Sequence, residues 1–259
     1  MMASQTVPAG SRIRVAFMAA VALGLFIGGC AGGNPHPPAT LDRADYFAAK
    51  GNRLEAVAAY EAFVRHNPTD SLAAEAQFRK AMIYMELKEF PLAAVEFQIL
   101  RKDFPTSNRV EEAQYQEGLA YLRQVGDVER DASGALEARA HFERFLVAYP
   151  ESARRAAVTA ELAGISDLLV QKRLAQVQVF RQLGRWQAVA TVLDGVLADE
   201  PASALVPDVL WERARAAEKL DDTAGATRFY SRLASDFPQS RHAGGATEAA
   251  ARLKAGAGS

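Results

Sequence analysis

The segment AAVEFQILRKDFP, residues 93–105, decides the fold of this chain. Its apolar side chains at Ala93, Phe97 and Leu100 are spaced four and then three residues apart, which places them on one face of an α-helix. Pro105 cannot continue a helix interior, because it has no backbone N–H and its ring clashes with the preceding turn. The segment therefore predicts a helix with one buried face that ends just before Pro105.

The same arrangement recurs along the chain. AVAAYEAFVRHNP and AGATRFYSRLASDFP also place small and aromatic residues on one helical face before a proline. This pattern is typical of the tetratricopeptide repeat (TPR), a helix–turn–helix unit of about 34 residues. We therefore predict an all-α, TPR-like α-solenoid of about five repeats. The repeats end near Pro68, Pro105, Pro150, Pro201 and Pro238.

Two of the repeats are longer than the others. In the third, the turn between the helices expands to RQVGDVERDASG, residues 123–134. In the fourth, the extra residues contain no cluster of glycine or proline, so nothing in the sequence interrupts a helix there. We predict one long helix from about Arg154 to Leu183, with Gly164 inside it.

The first thirty residues have the pattern of a lipoprotein signal. A basic start precedes VAFMAAVALGLFI, residues 15–27, an apolar stretch shorter than the ~20 residues that a membrane-spanning helix needs. Ile27-Gly28-Gly29-Cys30 resembles the bacterial lipobox, which implies cleavage before the cysteine and acylation of its thiol and amine. Stable membrane anchoring takes two or more acyl chains. The alternatives are an ordinary signal peptide with an incidental cysteine, or a free thiol in the core.

These patterns divide the chain into four parts. Residues 1–29 are predicted to be the signal peptide, and residues 30–41 the lipidated cysteine with a flexible tether. Residues 42–242 form the solenoid, and residues 243–259 a tail or a short capping helix. Ala31 stands where an Asp tends to hold lipoproteins at the inner membrane of enteric bacteria. We therefore expect an outer-membrane anchor with the protein facing the periplasm.

The sequence gives no sign of catalytic or metal chemistry. The formal net charge is −1 and no long basic run is present, so a nucleic-acid partner is not expected. The histidines form no HxxxH or HExxH pair, and no phosphate loop or nucleophile elbow occurs. The acidic stretch Asp127–Asp131 lacks the glycine and the distal glutamate of a calcium loop. We predict a protein that is not an enzyme, with no metal and no cofactor other than the lipid on Cys30.

An apolar surface is the main candidate for function. The first helix of each repeat lines the inner wall of a TPR solenoid, and exposed apolar patches often mark binding sites. We interpret the apolar positions of the second and third repeats as a groove for an extended peptide. The alternative is that the helical register is shifted by one and that these side chains belong to the core. The candidate residues are Phe78, Met82, Met85, Tyr115, Leu119 and Leu122.

Three segments carry a resemblance to a known family. Phe90-Pro91-Leu92-Ala93 matches a turn of the BamD-type lipoproteins of the outer-membrane β-barrel assembly machinery. YQEGLAYL, residues 115–122, with the expanded turn after it, is similar to their third repeat. The long helix ending in Leu183-Gly184-Arg185-Trp186 resembles their fourth repeat. With the lipobox, the likeness covers about residues 42–240.

The resemblance implies a scaffold rather than an enzyme. It implies binding of C-terminal signals of unfolded outer-membrane proteins by the first repeats, and docking of the last repeats on the barrel subunit BamA beside other lipoproteins of the machine. An arginine common in the family at the BamA contact is absent from Ala190-Thr191-Val192, so that contact is not carried over. The alternative is another TPR lipoprotein scaffold, associated with pilotins, secretins, or the cell-wall or division machinery.

Overall fold

The computed structural model describes residues 34–126 and 130–256. The signal peptide and Cys30 lie outside the described residues, as do residues 127–129 of the acidic turn. Within the described ranges the chain forms α-helices and no β-strand, and none of these helices is long and apolar enough to cross a membrane. The helices are α1 Leu41–Ala49, α2 Arg53–His66, α3 Ala73–Glu86, α4 Phe90–Asp103, α5 Val110–Arg123, α6 Ser133–Ala148, α7 Arg155–Gln182, α8 Trp186–Asp199, α9 Val206–Lys219, α10 Thr223–Asp236 and α11 Ala243–Gly256.

Successive helices pack in antiparallel pairs, and each pair packs on the next, which is the architecture of a TPR-like α-solenoid. The predicted helical faces are confirmed: Ala93, Phe97 and Leu100 are fully buried in α4, and Ala138, Phe142 and Phe145 hold the same places in α6. Each second helix therefore inserts its apolar stripe between the first helices of its own repeat and the next. The solenoid is the all-α fold that the repeating prolines predict.

The proline-containing turns end the second helix of each repeat in one conformation. Its C-cap residue has φ between −126° and −131°, and its N–H still donates to the carbonyl four residues before. The following proline disfavours helical ψ at that residue, so the helix stops there. Two residues after each proline, a side-chain oxygen accepts from the backbone N–H two positions on, which starts the next repeat. These residues are Asp70, Ser107, Ser152, Ser203 and Ser240.

The long helix α7 joins two parts of the solenoid. Its first half, through Val158 and Ile165, packs in one core cluster with α5 and α6. Its second half, through Val170 and Val177, packs in another with α8 and α9. The bounds agree with the predicted helix, so that prediction is confirmed. We call residues 41–169 the N-terminal part and residues 170–256 the C-terminal part.

A polar clasp holds the two parts together beside α7. Glu200, at the end of α8, accepts hydrogen bonds from Arg139 of α6 at 2.9 Å and from Ser166 of α7 at 2.7 Å. Asp167 accepts from the hydroxyl of Ser203 at 2.6 Å. The loop between α8 and α9 is thereby fixed against the middle of α7.

Helix α11 covers the last repeat. Ala246, Ala249 and Ala250 are buried against the same cluster as Leu210 and Tyr230. The alanines allow a close approach of the helices, and their burial explains how an alanine-rich segment forms a stable helix here. The segment 243–256 thus closes the apolar end of the solenoid.

Candidate functional site

The structure places the predicted groove residues against the core. The Phe78 and Tyr115 side chains are each 8% exposed, and Phe78 packs on Phe97 with ring centroids 5.7 Å apart. The four other candidates are partly buried and contact the same two core clusters, in agreement with the alternative interpretation. Binding of a peptide at these positions stays a prediction. The four are Met82, Met85, Leu119 and Leu122.

An arginine of the next repeat covers the ring of Phe78. The guanidinium carbon of Arg109 lies 5.0 Å from the ring centroid, and its Nε donates to the carboxylate of Glu75 one turn before Phe78. Burial by itself would raise the pKa of Glu75, but hydrogen bonds from Arg109 and Arg79 lower it below its ordinary value. Glu75 therefore supplies an acid and Phe78 an aromatic ring, and Arg109 of the next repeat lies over the ring and pairs with the acid. We call the residue in the place of Arg109 the cap.

The same three positions meet at two further junctions. Arg154 lies 4.8 Å from the centroid of Tyr115 and pairs with Glu112. At the last junction an imidazole replaces the guanidinium: His242 stacks on Trp211 at 5.0 Å and 9°, and contacts Asp208 at 2.7 Å. We call these sets the ring-capping triads. They are Glu75–Phe78–Arg109, Glu112–Tyr115–Arg154 and Asp208–Trp211–His242.

The triads were missed by sequence reasoning, although the sequence contains a signal for them. Counted from the preceding proline, the acid is at position seven, the ring at position ten, and the cap at position four of the next repeat. An aromatic residue under an arginine is stabilised by a cation–π contact as well as by burial. The triads therefore give Phe78 and Tyr115 a role in holding neighbouring repeats together.

The junction between the fourth and fifth repeats has no triad and contains a groove instead. The position equivalent to the ring is Ala160, in the first half of α7. Beyond it, the second half of α7 and the start of α9 border a groove of about 740 Å³. We call it the α7–α9 groove. Its apolar lining includes Leu174, Ala175, Val179, Leu205 and Trp211.

The charged residues of the α7–α9 groove are paired with one another. Arg181 donates to Glu212 at 3.2 Å, and Arg241 donates to Asp208 at 2.5 Å. Asp208 also holds His242, which covers one face of Trp211. The groove therefore offers an apolar floor and a rim of satisfied ion pairs.

A buried polar cluster lies in the N-terminal part. Burial raises the pKa of Glu117, although Arg101 of α4 donates to it and opposes the rise. His141 of α6 is stacked on Tyr121 at 4.4 Å, with its Nδ1 3.6 Å from Glu117. Burial first, and then the charges of Arg144 and Arg101, lower the pKa of His141 to about 4.

No group of three or more potential metal ligands occurs among the described residues. Every buried side-chain polar atom in the described part of the chain has a hydrogen-bond partner within the protein. The arrangement is therefore suited to holding a repeat surface in shape.

The fold and these junctions define a TPR-like repeat protein, a class whose members present surfaces for other proteins. The chain belongs to the YfiO family, described as outer membrane lipoproteins, whose model matches residues 41–229. The family is therefore one of outer-membrane lipoproteins, as the lipobox-like start predicted. Among solved structures, the chain is similar to a thermophilic TPR protein of Thermus thermophilus. That match has 17% identity, covers 82% of this chain and 94% of that chain, and has a TM-score of 0.33.

Proposed function

We propose that the chain is a periplasm-facing scaffold of the β-barrel assembly machinery, anchored in the outer membrane through a lipid on Cys30. It binds segments of unfolded outer-membrane proteins and the barrel subunit BamA, and so supports membrane insertion. The observation that carries the proposal is the match to the outer membrane lipoprotein family over residues 41–229. The absence of turnover chemistry is part of the proposal, because a scaffold acts through its surfaces.

The architecture supports a role in bringing proteins together. A solenoid exposes a large surface for its size, and each repeat contributes positions at fixed spacing. Two ring-capping triads join the second repeat to the third and the third to the fourth, and the clasp at Glu200 fixes the loop before the fifth repeat. A rigid array of this kind loses little entropy when it binds a partner, which favours affinity.

Capture from the envelope tests the proposed machinery. The full-length protein is purified with a C-terminal tag from detergent-solubilised envelope, and the accompanying proteins are identified by mass spectrometry. Recovery of a large β-barrel protein with periplasmic repeat domains is expected. Recovery of secretin, pilus or cell-wall proteins without that barrel would overturn the assembly role and favour another lipoprotein scaffold.

The anchor is tested separately from the partners. We expect radiolabelled palmitate to be incorporated into the full-length protein and to be lost in Cys30→Ala. Ala31→Ser is the matched control, because it keeps the thiol and a small neighbour. Label retained in Cys30→Ala would contradict acylation at this cysteine. Fractionation of the two membranes then shows which of them holds the labelled protein.

A further inference from the structure

The segment before α1 is held against the side of that helix. The Asn34 side chain donates to the carbonyl of Arg43 at 3.0 Å, and the Arg43 guanidinium donates to the carbonyl of His36 at 2.9 Å. The His36 ring lies 5.9 Å from the ring of Tyr46. Because these contacts lie in the middle of α1, the segment runs back along the helix, and the chain reaches the solenoid near Tyr46.

Helix α1 is itself fixed to the solenoid. Asp45 accepts from the hydroxyl of Tyr60 in α2 at 2.5 Å and from Arg79 of α3 at 2.8 Å. Ala44 is fully buried in a core cluster with residues of α2 and α3. The segment before α1 is therefore attached to a rigid part of the fold, and its position determines how the solenoid is oriented relative to the anchor.

The proposed anchor lies close to this attachment point. Acyl chains on Cys30 insert into the membrane, which places the cysteine itself at the membrane surface. Cys30 is four residues before Asn34, and four residues of fully extended chain span at most about 14 Å. A lipid on Cys30 therefore keeps Asn34, which contacts the middle of α1, within about 14 Å of the membrane surface.

The end of the first repeat beside this point has residues that suit a membrane interface. Residues 49–52, at the turn between α1 and α2, are all exposed, and Leu54 shortly after them is 71% exposed. The Lys50 ammonium lies 5.7 Å from the centroid of the Tyr46 ring. Tyrosine and lysine combine an apolar body with a polar tip, which is why both are favoured among lipid headgroups. An exposed leucine gains free energy there by leaving water.

The charges at this end balance one another. Arg53 is paired with Glu86, and Lys50 has no carboxylate within ion-pair distance in the described part of the chain. Glu55 is exposed one residue after Leu54. The end therefore has no excess of basic charge. The surface that matches it is a zwitterionic phospholipid, whose phosphate can bind the Lys50 ammonium.

We propose that the α1–α2 end of the first repeat lies in the headgroup region of a phospholipid membrane, with Tyr46, Lys50 and Leu54 in contact with lipid. The anchor and this contact act together, and two attachments restrict the rotation of the solenoid on the surface more than one does. The inference rests on the proposed function in taking the lipid on Cys30 as the anchor, and it adds a second membrane contact to that function.

Lysine labelling of the anchored protein tests the contact. The purified full-length lipidated protein is inserted into phosphatidylcholine vesicles, and a water-soluble acetylating reagent labels its lysines for mass spectrometry. Labelling of Lys50 is measured relative to that of Lys102, which is exposed at the far end of α4. In Leu54→Ser this ratio is expected to rise about 3- to 10-fold, because the burial of a leucine in lipid no longer favours the contact.

Leu72→Ser is the matched control for the labelling. Leu72 is 47% exposed and lies between α2 and α3, at the opposite end of α2 from the proposed contact. The ratio of Lys50 to Lys102 labelling is expected to be the same in this variant as in the parent. Circular dichroism confirms that both serine variants, at exposed positions, keep the parent helix content.

Fluorescence quenching tests the contact with lipid directly. Tyr46→Trp and Tyr149→Trp each place a tryptophan at a partly buried tyrosine, in addition to the two native tryptophans. In vesicles of phosphatidylcholine brominated on its acyl chains, the emission of Tyr46→Trp is expected to be quenched more than that of the parent. Tyr149→Trp, at the turn after α6, is expected to match the parent.

The outcomes separate this proposal from the assembly role. Equal labelling of Lys50 in the parent and in Leu54→Ser, or equal quenching of Tyr46→Trp and the parent, would overturn the lipid contact and leave the assembly role intact. Protection of Lys50 without quenching would indicate a contact between proteins and would overturn it as well. Absence of palmitate on Cys30 would overturn the anchor and the lipid contact together. A lipid contact without the barrel partner would remove only the assembly role.

Discussion

The N-terminal and C-terminal parts use the same repeat but treat their inner aromatic residue differently. Phe78 and Tyr115 lie under arginines and are almost completely buried. Trp211 lies under an imidazole, is only partly buried, and borders the α7–α9 groove. Between them, the lengthened α7 removes one triad. The same repeat position therefore closes a junction in one part of the molecule and borders an open groove in the other.

The largest expected effect distinguishes the two uses of the aromatic position. Phe78→Ala is expected to lower the free energy of unfolding by ~3–5 kcal/mol, because it leaves a cavity in the core and removes the surface under Arg109. Trp211→Ala is expected to cost less, since part of its ring faces the groove. Urea denaturation of both variants measures the difference. Equal losses of stability in the two variants would contradict the division into a closed and an open junction. If Phe78→Ala folds but loses partner binding, the result supports the peptide groove predicted at the second and third repeats instead.

The second effect concerns pH and is confined to the N-terminal part. The pKa of His141 is lowered to about 4 in the folded state, from an ordinary value near 6.5. When folding lowers a pKa, the fold has its full stability at pH values above the pKa of the unfolded state. That stability is lost as the pH falls toward the pKa of the folded state. His141 therefore destabilises the fold progressively from about pH 6.5 to about pH 4, by up to ~3 kcal/mol.

The variant His141→Gln isolates this contribution. Its free energy of unfolding is expected to change less than that of the parent between pH 7 and pH 4, measured by urea denaturation at each pH. The raised pKa of Glu117 acts in the opposite direction, which is why the two proteins are compared at the same pH. His66→Gln is the matched control, because His66 is exposed at the end of α2. A parent and variant with parallel pH profiles would refute the role of His141.

A third prediction tests the connection between the two parts. The Glu200 side chain is 12% exposed and that of Arg139 is 23% exposed, so Glu200→Gln leaves a partly buried guanidinium without its charge partner. We expect a loss of about 2 kcal/mol, the scale of hydrogen bonds to charged groups. Asp236→Asn in α10 is the control, because the side chains of Asp236 and its partner Arg232 are both about half exposed, and their pair should contribute less than ~1 kcal/mol. Losses of equal size would show that the clasp has no special role.

Features that depend on a single helix were predicted from the sequence. The apolar face of Ala93, Phe97 and Leu100 and the uninterrupted length of α7 follow from periodicity, because both are local. The caps of the triads are not local: Glu75 and Arg109 are 34 residues apart, as are Asp208 and His242. Their meeting depends on how one repeat stacks on the next, and so does the groove at α7, which is why neither was predicted. Aligning the repeats on their prolines would have brought the triads into register.

The fourth prediction concerns the caps themselves. Arg109→Gln is expected to cost about 1 kcal/mol, from the loss of the cation–π contact over Phe78 and of a partly exposed ion pair. At high salt the ion-pair part is screened, so the difference from the parent should shrink. Arg65→Gln provides the baseline, because Arg65 is exposed on α2. An effect of Arg109→Gln no larger than that baseline would mean that burial alone closes the junction.

The smallest effect tests whether the two parts differ anywhere outside their junctions. The turns inside four of the repeats each contain a residue with positive φ: Gly51 at 77°, Lys88 at 61°, Gly184 at 67° and Asp221 at 58°. A side chain in this left-handed region costs ~1–2 kcal/mol, and glycine avoids that cost but loses ~0.5–1 kcal/mol in entropy on folding. Lys88→Gly should therefore stabilise the fold by about 0.5 kcal/mol. Asp221→Gly should gain less, because aspartate tolerates this conformation better than lysine.

Thermal denaturation of the two glycine variants measures these gains. Lys50→Gly is the control, because Lys50 lies beside Gly51 in the turn of the first repeat and has a φ of −82°. There glycine brings its entropic cost and also removes the ammonium group that lies 5.7 Å from the Tyr46 ring centroid, so a small loss is expected. If Lys88→Gly and Asp221→Gly differ only as expected for lysine and aspartate, the repeat backbone is the same in both parts. The two parts then differ only where repeats meet. A gain in Lys88→Gly together with a clear loss in Asp221→Gly would place a second difference between the parts inside the repeat itself.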